Sequence, residues 1–181
     1  MADVYIPYKV IFTGLNADGN ELEAYAASKS LEGLTWALST TINFSVTGKY
    51  KSRGDMSKSV RIYMSPARQG SFIVAMNAWV VANPFLATVA LGGAVSIVAP
   101  YVNKTIEYAF GKALGNISEV PDGFKKYYRR LSKDERNELD TLIQRIEPPL
   151  SRAHTVIGQT ATEVSFKSKR TELFKMDEVT K

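Results

Sequence analysis

The pattern of this chain predicts an α+β domain: a mixed or antiparallel sheet of four to six strands packed on a long central apolar helix, with a helical C-terminal half. Three observations carry that expectation. Strand-like alternation and turn residues dominate residues 1–82, and helical spacing dominates residues 83–158. The third is a gap of 35 residues, 69 to 103 inclusive, with no charged side chain and no histidine in a protein that is 23% charged. Such a gap is either the buried spine of a core or an element that enters a membrane.

The opening, Tyr8-Lys9-Val10-Ile11-Phe12, alternates as a strand, and the turn residues Asn16 to Asn20 would join it to a short second strand around Leu22–Tyr25. Leu31, Leu34, Leu38 and Ile42 then fall at helical spacing, which predicts a helix from about Lys29 to Phe44 with Ser28 or Ser30 as cap. From Thr47 to Ser59 the chain is rich in Gly, Ser, Lys and Arg, the composition of an exposed loop. Strand pattern returns over Val60–Met64. After a turn at Ser65–Gly70 comes Ser71–Val81, an apolar run suited to a strand buried on both faces.

Asn83-Pro84 is a helix start, because Asn caps free N–H groups and Pro is tolerated where no donor is needed. The central helix follows from Pro84 to Leu114, with Pro100 expected to kink or divide it. On a further helical turn Phe124, Tyr128 and Leu131 would face the core. Ser132-Lys133-Asp134-Glu135 matches a capping box, and the helix behind it carries Leu139, Leu142, Ile143 and Ile146 on one stripe. Pro148 and Pro149 should end it and open a short helix that stops at Gly158. Two strands, Glu163–Lys167 and Glu172–Met176, close the chain. The reading is one domain over residues 1–181, with 159–181 as terminal strands that would continue in a longer natural chain.

Composition narrows the function classes. Hydrophobic content of 45% is that of a globular protein. The absence of cysteine excludes disulfide scaffolds, zinc fingers and a thiol nucleophile, and fits a cytoplasmic setting. Met1–Pro7 lacks the basic and apolar regions of a secretory signal, so the sequons at Asn43, Asn103 and Asn116 are chance matches. Net charge is +5, with an isoelectric point near 9.3. That is enough to suit an acidic partner and far from a histone-like excess.

The cations gather in two places. Lys49, Lys51, Arg53, Lys58 and Arg61 have the composition of a phosphate-binding strip, with Tyr50 placed to stack on a base, although no P-loop and no magnesium-holding acid accompanies them. Lys125, Lys126, Arg129 and Arg130 interleave with Tyr127 and Tyr128 and would suit a nucleic acid, an acidic protein or anionic lipid. The plainer reading of both clusters is a solvated surface.

Catalysis finds no foothold. His154 is the single histidine and has no nucleophile-elbow motif to serve, and Asp18, Asp55, Asp122 and Asp134 fall on expected loops and caps. No catalytic residue, metal ligand or cofactor site is assigned. The apolar stretch Phe85–Val102 is 18 residues long, against about 20 for a membrane span, and Gly92, Gly93 and Pro100 interrupt it.

The order of Ala26–Gly33, Thr47-Gly48-Lys49, Val60–Tyr63 with Gly70-Ser71-Phe72, and Arg152-Ala153-His154 with Ile157-Gly158 is similar to a group of uncharacterised bacterial and prophage-type proteins of unknown function. The resemblance implies a bacterial or phage setting, a role in the contest between phage and host, and often a further β-rich segment. It carries no catalytic residues. The resulting expectation is a non-enzymatic cytoplasmic binding module that meets an acidic protein or nucleic acid through Lys49, Lys51, Arg53, Lys58, Lys125, Lys126, Arg129 and Arg130. The rival is a membrane-inserting effector acting through residues 72–102, in which Phe85, Leu86, Leu91 and Val95 meet lipid or a second copy of the chain. A phosphate-handling enzyme centred on the Lys49–Arg61 loop is the weakest of the three.

Overall fold

Val4, Ile6, Tyr8, Val10 and Phe12 alternate with Tyr5, Pro7 and Lys9, so one face of the first strand is wholly apolar and the other is open. That strand, β1 (Val4–Thr13), is the middle of a five-stranded antiparallel sheet with β2 (Val60–Arg68), β3 (Phe72–Val80), β4 (Glu163–Ser168) and β5 (Thr171–Asp177), in the order β2-β3-β1-β4-β5. The computed structural model describes residues 4–51, 59–68, 72–81, 84–89 and 95–180.

The described helices lie on one side of the sheet. They are α1 (Ala24–Thr47), α2 (Pro84–Val89), α3 (Val95–Ala113), α4 (Asp122–Tyr128) and α5 (Lys133–Ala153). α1 rests against β2 and α3 against β1 and β5, while α5 packs over both. This layering explains the burial of each helix. α1 is sandwiched, and residues 40–46 are buried all round; the Thr40 and Ser45 hydroxyls there bond back to the helix, Ser45 Oγ donating to the Thr41 carbonyl at 2.9 Å, while Thr41 Oγ1 has no hydrogen-bond partner among the described residues. α5 is outermost and keeps the narrow stripe Leu139, Leu142, Ile146 and Leu150 against its neighbours.

The two layers are pinned by aromatic rings. Tyr8 stacks on Phe166 with centroids 5.0 Å apart, Phe166 on Phe174 at 5.3 Å, and Phe174 meets Phe110 of α3 at 4.7 Å. Each such pair adds about 0.5–1.5 kcal/mol to the area it buries, so the strands β1, β4 and β5 sit on a stiff base.

The α+β class and the antiparallel sheet agree with the sequence reading, and several elements do not. No strand forms at Leu22–Tyr25. Gly14 (φ 79°) and Leu15 (φ 50°) turn the chain into a 3-10 turn, Leu15–Gly19, whose Ala17 N–H donates to the carbonyls of Gly14 and Thr160. The Glu23 carboxylate then accepts from the N–H groups of Tyr25 (3.0 Å) and Ala26 (2.6 Å), starting α1 well before Lys29. Those two bonds hold the Glu23 carboxyl below its ordinary range. Ser30, a candidate cap, is buried and donates instead to the Ala153 carbonyl of α5 at 2.7 Å.

β3 is wholly buried on one face only, with Ile73, Ala75, Asn77 and Trp79 half-covered on the other. The central helix is described as α2 and α3, and Pro100 does not end α3. The capping box at Ser132 and Glu135 forms as read. Pro148 and Pro149, however, lie inside α5. The carbonyls they cannot bond are those of Gln144 and Arg145, exposed residues where water can serve, so the helix runs on.

Candidate nucleic-acid interface

The strand registers bring together residues that lie far apart in sequence. Arg61 of β2 pairs with Trp79 of β3, and Trp79 pairs with Tyr5 of β1, all on the face away from the helices. The adjacent row is Tyr63, Asn77 and Pro7; the row after that is Ser65, Ala75, Lys9 and Lys167. Neighbouring strands are about 4.8 Å apart, so each row crosses from β2 to β1 in about 10 Å.

The aromatic end of this face is open. Tyr5 is 62% and Tyr63 51% exposed, and among the described residues neither packs against another ring. The Arg61 guanidinium lies 5.5 Å from the Trp79 ring centroid, a cation–π contact that holds the indole in the row.

The neighbouring rows supply charge. Lys9 and Lys167 stand directly opposite each other on β1 and β4, and like charges in register are destabilising. Glu172 relieves Lys167 in part at 3.7 Å; Lys9 is exposed and enters no ion pair among the described residues. Lys169 and Arg170, exposed in the β4–β5 turn, extend the cationic band past the end of β4. Lys175 does not belong to it. Glu163 (3.3 Å) and Asp177 (3.4 Å) engage its ammonium and hold its pKa above the ordinary lysine value. Acids on the outer face are thus confined to β4 and β5 among the described side chains, and on β1, β2 and β3 the charged outer residues with described side chains are Lys9 and Arg61. Lys9→Glu is therefore expected to raise stability by up to about 1 kcal/mol, by replacing a like-charge pair with an attractive one, and a urea titration reads it.

Of the two basic clusters read from the sequence, Arg61 lies on the outer face of the sheet, and the other described members lie on the helical side. Lys49 is exposed and Lys51 half-buried just past α1, where the Tyr50 N–H donates to Glu138 of α5; Arg53 and Lys58 lie outside the described residues. Lys125 pairs with Asp122 at 2.7 Å, and Lys126 sits 4.7 Å over the Tyr127 ring. Arg129 and Arg130 are exposed beyond α4, beside Arg136, which donates to the Arg129 carbonyl. Tyr50 and Arg129 approach α5 at positions 138 and 136, on different flanks of the helix, so the described members of the two clusters there do not converge. Phe124 and Leu131 face the core as expected, joined by Tyr127, while Tyr128 is half-buried.

The uncharged stretch contributes the strand β3, then Leu86, Val98 and Val102 of the core. Phe85 packs beside Gly48, with Leu86 fully buried; Leu91 and the side chain of Val95 lie outside the described residues. Among the described residues no helix is long and apolar enough to cross a membrane, and no group of three or more acids or histidines is placed to hold a metal.

Tyr5, Lys9, Tyr63, Trp79 and Lys167 escaped the sequence reading as site residues. Their signal was the two-residue alternation that turns them away from the core. No curated protein and no solved structure matches this chain. A family model does match, over residues 8–181, and the chain belongs to the family it describes, a domain of unknown function (DUF7946).

Proposed function

We propose that this chain is a non-enzymatic binding module for single-stranded nucleic acid, and that the outer face of its sheet is the binding surface. The observation that carries the reading is the row Arg61–Trp79–Tyr5, with Tyr63 beside it, in which Tyr5, Tyr63 and Arg61 are exposed and Trp79 half-covered, bordered by the opposed Lys9–Lys167 pair. Every base has a π-face, so the exposed rings on β1 and β2, with the half-covered Trp79 between them on β3, accept bases without regard to sequence. A duplex keeps its bases stacked inside and offers them nothing; an unpaired strand does. The cations match a phosphate backbone, and an anion lying between Lys9 and Lys167 would turn a repulsive pair into a binding contact. The lack of cysteine and the resemblance to bacterial and prophage-type proteins favour a cytoplasmic, bacterial or phage setting.

The test is fluorescence anisotropy with a short labelled oligonucleotide, single-stranded and as duplex, over a range of salt. The expected result is preference for the single strand and an affinity falling with salt at a log–log slope of about −0.7 for each phosphate engaged. Equal affinity for the duplex, or binding indifferent to salt, would overturn the proposal.

A further inference from the structure

β1 is longer than the strand beside it. Its pairing with β3 reaches back to Val4↔Val80, whereas its pairing with β4 begins only at Tyr8↔Ser168. Over Val4–Pro7, β1 therefore has no strand on that side among the described residues, and a cavity of about 380 Å³ fills the notch where β4 would have continued. Ala99, Pro100 and Asn103 of α3 form its floor, Lys169 stands at one wall, and Tyr5 and Pro7 line the side shared with the outer face.

The polar groups in the notch are few and oriented. Tyr8 is buried, which pushes its phenol pKa up and keeps the hydroxyl protonated, and it donates to Asn103 Oδ1 at 3.2 Å. The Asn103 amide is thereby fixed, and its Nδ2 makes no hydrogen bond among the described residues. The Pro7 carbonyl accepts from Ser168 Oγ at 3.3 Å, on the β4 side. By the two-residue period of a strand, the N–H and C=O of Tyr5 point to the same side. An amide N–H beside a backbone donor and acceptor is the equipment that reads the edge of a base, and prolines at floor and rim supply flat apolar walls. Lys169 and Arg170, in the adjoining turn, enter no ion pair among the described residues. The volume is near the lower end for small-molecule sites, and fits a single nucleoside better than a peptide.

We infer that this notch takes one nucleobase of the bound strand, turned off the aromatic row at Tyr5, with its edge on Asn103 and the backbone of Tyr5 and its phosphate on Lys169 and Arg170. The inference rests on the nucleic-acid reading above. It makes the interface more than a stacking platform, since the base in the notch is recognised by hydrogen bonds.

The experiment is a titration of isotope-labelled protein with adenosine monophosphate, followed by amide NMR, with ribose phosphate as the probe that lacks a base. Adenosine monophosphate is expected to shift the Asn103 side-chain amide and the Lys169 and Arg170 backbone signals, and ribose phosphate only the latter two. In Asn103→Leu the Tyr5 backbone amide, which lines the notch, should no longer shift more with adenosine monophosphate than with ribose phosphate. Lys169→Gly, which suits the left-handed backbone at that position (φ 55°), should weaken binding at the notch several-fold without disturbing the fold. Shifts at Trp79 and Tyr63 with none at Asn103 would overturn the notch and leave the outer face standing. No shift at either place at saturating probe would overturn both.

Discussion

Replacing Tyr5 and Tyr63 together by alanine is expected to weaken single-strand binding by about 2–6 kcal/mol, from about 1–3 kcal/mol for each base that loses its ring. At about 1.4 kcal/mol per tenfold, this removes measurable affinity at ordinary protein concentrations. The fold should survive, because both side chains lie mostly in water and neither belongs to the core. The single variants separate the contributions. The rings stand on different strands and in different rows, so their losses should add unless one base spans both. Lys9→Glu offers an independent check because its two effects have opposite signs: the folded state gains while the nucleic acid is repelled. A variant that becomes more stable and binds less cannot be dismissed as misfolded. Unchanged binding in the double alanine variant, with its fold verified, would remove the outer face from consideration.

The second large effect is structural, at the crossing of α1 and α5. A Cβ at Gly33 would come within 2.2 Å of the Pro149 carbonyl oxygen and 3.1 Å of the Ala153 backbone nitrogen. Both obstacles are backbone, so relief requires the helices to move apart. Separation would also stretch the Ser30 bond to Ala153 one turn away. Gly33→Ala gains up to about 1 kcal/mol in helix propensity and loses about 1–3 kcal/mol to overpacking, for a net destabilisation. Gly33→Leu should lose several times more. Gly19→Ala is the control, since nothing lies within 4 Å of its Cβ position. Urea unfolding reads all three. A Gly33→Ala protein as stable as the parent would mean that the α1–α5 approach is looser than described.

Gly33 also shows where sequence reasoning stops. Within one helix it reads as a small weakness in a run of Leu31, Leu34 and Leu38, and its purpose appears only when a helix more than a hundred residues later is laid across it. Ser132 and Glu135 are the opposite case. A capping box is closed by neighbours along the chain, so the residues that write it also complete it. Glu23 capped α1 with a residue that is not a preferred cap, and so the helix start was read too late. Pro148 and Pro149 broke a local rule because the carbonyls they orphan face solvent and the surrounding packing holds α5 together.

The interface follows the same division. The alternation in β1 already turned Tyr5 and Lys9 away from Val4, Ile6 and Tyr8. That Arg61, Trp79 and Tyr5 share one row depends on pairings between strands separated in sequence, β1 from β2 by a 24-residue helix. The runs of consecutive cations drew attention because they are dense in sequence. In space, Lys125 is occupied by Asp122, and Tyr50 and Arg129 approach α5 from different flanks.

The most direct test of the central claim uses the tryptophan in the aromatic row. The chain has two tryptophans, and Trp36 sits on α1, on the helical side, beneath Arg152. Trp36→Phe leaves Trp79 as the sole indole. Titrating that protein with an unlabelled single-stranded oligonucleotide should quench the Trp79 emission in a saturable, salt-sensitive way, as a base stacks on the ring. Emission unchanged while the oligonucleotide binds would place the nucleic acid elsewhere on the molecule and contradict the account.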